Sequence, residues 1–112
     1  MIDAEAIDHV NLRIPESRIE EFVEFYSETL GFGIEDLDAY RAGDRPIFTV
    51  RVAETAVIHV SPVPDGEFAP PAPENFDHVA FRVPEDADSV TRGLLPQDLP
   101  VRTVVCRWLC VR

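Results

Sequence analysis

An eleven-residue segment occurs twice in this chain, and the repeat constrains the fold more than any other feature. Residues 7–17 read IDHVNLRIPES and residues 76–86 read FDHVAFRVPED, an offset of 69. Six positions are identical: Asp8/Asp77, His9/His78, Val10/Val79, Arg13/Arg82, Pro15/Pro84 and Glu16/Glu85. Three more exchange like for like: Ile7/Phe76, Leu12/Phe81 and Ile14/Val83. A gapless match of this kind marks two copies of one module.

Each copy opens as a strand. Val10, Leu12 and Ile14 alternate with His9, Asn11 and Arg13, and Val79, Phe81 and Val83 alternate with His78, Ala80 and Arg82. A period of two sends the two sets to opposite faces. The apolar face is expected to pack under a helix. The other carries a histidine and an arginine in both copies, and either lines a cavity or is a solvated sheet face.

The rest of the first module follows from local patterns. Ser17 and Glu20 have the spacing of a capping box. Ile19, Phe22, Val23, Tyr26 and Leu30 form a helical apolar stripe, which is core. Gly31 is placed to end that helix in a left-handed turn. Residues 32–40, 46–53 and 56–63 read as three strands. In the last, Val57, His59 and Ser61 share one face and Ile58 and Val60 the other. The module over residues 1–63 is therefore βαβββ. Residues 64–75 (PDGEFAPPAPEN) read as an extended proline-rich linker. Residues 76–112 are a partial second module with a divergent tail.

The second copy fades after about residue 90. At an offset of 69, Ile19, Phe22 and Val23 correspond to Asp88, Thr91 and Arg92, and Gly93, Pro96 and Pro100 oppose a helix. The charge changes at the same place. Residues 1–91 hold 20 acidic residues and 6 arginines, whereas residues 92–112 hold 4 arginines and the single acid Asp98. Both cysteines (Cys106 and Cys110) and the only tryptophan (Trp108) lie in this tail. The expected origin is a truncated or frame-shifted end, or else a genuine divergent tail. Residues 101–111 still have the alternation of a strand, through Val104, Cys106, Trp108 and Cys110. The two cysteines lack the further partners of a metal or redox site.

Composition narrows the function. The 112 residues include 21 acidic side chains, 10 arginines and no lysine, for a net charge of -11. That balance argues against nucleic-acid binding, which needs a basic footprint. It suggests a halophilic host, whose salty cytoplasm screens the self-repulsion. The length excludes a large multi-domain enzyme. The apolar runs are too short to span a membrane. The N-terminal MIDAEAIDHV lacks the basic and apolar regions of a signal peptide, so a cytoplasmic location is expected.

Three histidines remain: His9, His59 and His78. Imidazole is a common ligand for Zn, Ni and Fe. Tandem βαβββ modules that each open with an [IF]-D-H-V strand resemble the vicinal oxygen chelate superfamily. That superfamily includes glyoxalase I, bleomycin- and fosfomycin-resistance proteins, and extradiol dioxygenases. The resemblance covers about residues 5–90. It implies an α+β fold in which tandem βαβββ modules form a cupped mixed sheet around a divalent metal, the second module being incomplete here. It also implies metal ligands on the first and last strand of a module. His9 and His78 match the first-strand positions, and His59 falls where the last strand usually offers a glutamate. The implied cofactor is a divalent metal: Zn, Ni, Fe or Mn. Three histidines resemble a catalytic zinc shell with an open position.

Arg13 and Arg82 are candidates to pair with an anionic group of a small-molecule substrate. The alternative is salt bridging to the acidic surface. The implied activity is that of a metal-dependent lyase, isomerase or dioxygenase acting on an oxygen-chelating substrate, with no catalytic base assigned. Two alternatives stand beside it. One is a non-catalytic, drug-sequestering module, with Phe32, Tyr40 and Phe48 available to a flat ligand. The other is an inactive remnant. Unpaired sheet edges in an incomplete module lead us to expect a homodimer.

Overall fold

The first repeat forms strand β1, His9–Pro15, in a computed structural model that describes residues 1–69, 79–82, 84–86, 88–89, 92, 101–105 and 108–111. The chain divides into two units, Met1–Ala69 and Pro70–Arg112.

In the first unit a helical segment follows β1. It starts as a 3-10 turn at Glu16–Arg18, becomes helix α1 at Ile19–Glu24 and continues as a π-helix at Phe25–Thr29. The expected capping box does not form, because no side-chain cap bond closes either start. Instead the Ser17 N–H donates to Asp65 Oδ1 at 3.1 Å, so a carboxylate distant in sequence satisfies the free donor. Gly31 ends the segment as expected, with φ +75. The Phe32 N–H then reaches back to the Tyr26 carbonyl at 2.9 Å.

Residues 32–40 depart from expectation. Only Gly33–Glu35 is a strand, β2, and Leu37–Arg41 forms a short helix, α2. The cause is Asp36, whose left-handed φ of 64 turns the chain out of the sheet. Arg45 holds its carboxylate at 2.7 Å. Leu37 and Tyr40 then fall three apart, on one side of a helical turn.

Strands β3, Phe48–Ala53, and β4, Ala56–Val63, complete the unit. The sheet order is β1-β4-β3-β2, with β1 and β4 parallel and the other pairs antiparallel. The architecture is thus α+β with a mixed four-stranded sheet.

Register decides the two faces. Phe48 pairs with Val60 and Val50 with Ile58, and all four side chains are 0–2 % exposed. Tyr26 joins them at 6 %. Phe22 and Tyr40 meet Phe48 at ring-centroid distances of 6.1 and 5.9 Å. Both helices therefore cover this face. Toward the β1 edge the cover thins: Leu12 and Ile14 are half-buried and Val10 is exposed.

The second unit is described in part. Strand β5, Val79–Arg82, corresponds to the middle of β1 in the repeat. Residues 101–111 are not one strand. They contain β6, Val101–Val105, and β7, Trp108–Val111, which pair antiparallel, and β7 also pairs with β5. Residues 88, 89 and 92 are helical despite their polar character. Asp86 supports that start by accepting from the Ser89 N–H at 2.8 Å and hydroxyl at 2.9 Å. Among the described residues, no helix is long and apolar enough to cross a membrane.

Candidate metal and small-molecule site

The sheet face opposite the helices is polar. β1 contributes His9, Asn11 and Arg13, and β4 contributes His59 and Ser61. The register pairs Asn11 with His59 and Arg13 with Ser61, so all five share one face. Thr49, Arg51 and Glu35 extend this face across β3 and β2, because Thr49 pairs with His59 and with Glu35.

Two of the three histidines come together here. The rings of His9 and His59 stack with centroids 4.2 Å apart and planes 25° apart. Their Cα atoms are not register partners, since His9 pairs with Val57. The contact is diagonal, two residues further along β4, within reach of a large side chain. His78 lies outside the described residues.

His9 has a second partner. Its Nδ1 lies 2.8 Å from Asp8 Oδ2. An ionised carboxylate only accepts, so Nδ1 carries the proton and donates it. This hydrogen bond, aided by the charges of His9, His59 and Arg51, holds the Asp8 carboxyl below its ordinary range.

The arginines divide into two kinds. Arg51 is fully engaged. Its Nε and Nη2 donate to the two Glu35 oxygens at 2.9 and 3.0 Å, and its Nη1 donates to the Glu54 carbonyl at 3.2 Å. The bidentate pair holds Glu35 below the usual carboxylate range. Arg51 therefore ties β3 to β2 and has no fork left for a ligand. Arg13 and Arg82 are both exposed. Neither has an ion pair among the described residues, where Arg18, Arg41, Arg45 and Arg51 have acidic partners.

The proposed aromatic ligand wall is not on this face. Phe48 is fully buried, Tyr40 packs on it, and Phe32 lies 6.3 Å from the Tyr26 ring. These three belong to the core, as alternation along β3 already required of Phe48.

The donor chemistry fits part of a metal shell. Two imidazoles suit Zn, Ni or Fe. Their lone pairs lie in the ring planes, so a single ion needs the planes to intersect at it. Stacked rings do not meet that condition until one of them turns. His59 is half-buried and carries no ion pair among the described residues, so with His9 held by Asp8 its ring is the one left to turn. Among the described residues, no group of three or more His, Cys, Asp or Glu is placed to hold a metal.

Sequence reasoning missed two contacts at this face. The Asp8 contact had a signal, since Asp precedes His in both repeats. The Arg51–Glu35 pair had none, because the two lie on strands whose register depends on where Asp36 turns the chain.

Residues 6–95 match the sequence model of the Glyoxalase/Bleomycin resistance protein/Dioxygenase superfamily. No curated protein and no solved structure matches the chain.

Proposed function

Because the chain belongs to the Glyoxalase/Bleomycin resistance protein/Dioxygenase superfamily, we propose that it is a divalent-metal-dependent protein acting on a small molecule with two neighbouring oxygens. Superfamily members often use divalent metals, and they typically bind small molecules. The observation that carries the reading is the His9–His59 contact across β1 and β4. Those two imidazoles would hold the metal, and His78 is proposed as a metal ligand from the repeat alone. The bound ion supplies Lewis acidity toward the chelating oxygens.

The chain's own residues then orient the substrate. Arg13 lies four residues from His9 on the same face, about 13 Å along the strand. With no ion pair among the described residues, it would bind an anionic group remote from the chelating oxygens. Asn11 and Ser61 stand between them, joined by a hydrogen bond of 2.9 Å from the Ser61 hydroxyl to Asn11 Oδ1. Arg82, from the second repeat, is the corresponding candidate in its own unit.

The reading includes a homodimer. The outer edge of β1 has no strand partner among the described residues, and Ile7 and Val10 beside it are exposed.

A cobalt(II) titration followed in the visible range tests the metal assignment. The expected result is saturable absorption for the wild type that is lost in His59→Ala. Equal spectra for the two proteins contradict it. A second reading, a non-catalytic small-molecule-binding module, is favoured by the flat stacked imidazoles. It predicts ligand binding with no dependence on added metal.

A further inference from the structure

We propose that Asp8 is a positioning residue that fixes the tautomer of His9 and so presents Nε2 as its metal-binding nitrogen. The inference rests on the metal reading above. It deepens that reading by naming which atom binds and what holds it there.

The geometry carries the argument. The Asp8 Oδ2 to His9 Nδ1 distance of 2.8 Å is that of a charge-assisted hydrogen bond. The carboxylate has no proton to give, so the imidazole must donate from Nδ1. In the neutral ring this leaves the lone pair on Nε2. A neutral histidine free of such a partner distributes its proton between the two nitrogens, and only one arrangement exposes Nε2 as a donor. A carboxylate on the far nitrogen selects that arrangement and fixes the ring's orientation.

Four further observations point the same way. His9 is the first residue of β1, so its backbone is fixed by pairing with Val57. The Val57 N–H also donates to the Asp8 carbonyl at 3.3 Å, which anchors Asp8 beside the strand. The Asp-His dipeptide recurs as Asp77-His78, at the same position of the second repeat. His59 has no such carboxylate among the described residues, so the lock belongs to the first-strand histidine and not to every histidine of the face.

The test uses the full chain without added metal, then with zinc. Long-range 15N–1H correlation spectra report which His9 nitrogen is protonated, and calorimetry reports zinc affinity. Wild-type protein is expected to show protonated Nδ1 and bare Nε2. Asp8→Ala should move the population toward protonated Nε2 and weaken zinc binding about 10- to 100-fold at unchanged stoichiometry. Asp8→Asn keeps an acceptor oxygen and should fall between the two. Asp44→Ala, an equal change of net charge on another loop, should leave both readouts unchanged. An Asp8→Ala spectrum with the wild-type tautomer overturns the proposal, as does a tautomer switch with no loss of zinc affinity. Absence of zinc binding in both proteins, with the tautomer switch intact, overturns the metal reading while supporting the hold of Asp8 on the ring.

Discussion

His9 and His59 stack diagonally across a parallel strand pair, His59 lying two residues beyond the register partner of His9. Asn11 and Ser61 make the next contact on the same diagonal through a hydrogen bond. Both contacts span 50 residues while the backbone register spans 48. The lean of side chains along the strands thus repeats, and it brings two distant sequence positions into contact.

This relationship predicts how the last-strand position tolerates exchange. His59→Glu places a carboxylate at the position where the superfamily resemblance implies one, and should retain metal binding. His59→Ala should abolish it. Calorimetric titration of the two variants with zinc and manganese checks this. The glutamate should also shift preference toward manganese, the harder ion.

Stability should depend on the opposite face. Phe48 is fully buried and contacts Phe22 and Tyr40, so Phe48→Ala should cost about 3–5 kcal/mol. Gly31 has φ +75 with open space around an added Cβ, so Gly31→Ala meets only backbone strain and should cost about 1–2 kcal/mol. Urea denaturation at neutral pH measures both. The order of the two costs is the test.

Acid should weaken the first unit through two specific carboxylates. The side-chain and backbone hydrogen bonds of Ser17 lower Asp65, and Arg51 lowers Glu35. A carboxyl lowered on folding stabilises at pH above its unfolded value, and that stability is lost as pH falls through its folded value. Asp65→Asn and Glu35→Gln should therefore be less stable than wild type at neutral pH, with the difference shrinking below the ordinary carboxylate range. Denaturation series at several pH values, compared between wild type and variants, separate this from the general relief of charge repulsion.

Salt should act in the other direction from its effect on ordinary surface ion pairs. At a net charge of -11 the chain repels itself, and molar salt shortens the screening length to about 3 Å. The exposed pairs Arg18–Glu21 and Arg41–Glu20 weaken as well, but each is worth little. The melting temperature should rise from low salt to molar sodium chloride. Equal melting in both removes the halophilic reading.

The period-two strands and the apolar helix stripe were legible because burial imposes them directly on the sequence. β1 and β4 lie where alternation puts them, and the His9 and His59 faces follow from it. The turn at Asp36 was not legible. A single left-handed residue leaves no periodic trace, so the strand read over residues 32–40 became β2 and α2. The missing capping box has a similar cause, since Asp65 competes for the Ser17 N–H from 48 residues away. At the site, the sequence named both histidines, but their diagonal offset depends on strand twist, which no single strand records.

The most direct measurement is the metal content of the purified protein, prepared in high salt, for wild type, His9→Ala and His59→Ala. The account predicts near-stoichiometric divalent metal in the wild type and its loss in both variants. Wild-type protein without metal, or equal metal in all three, would contradict it.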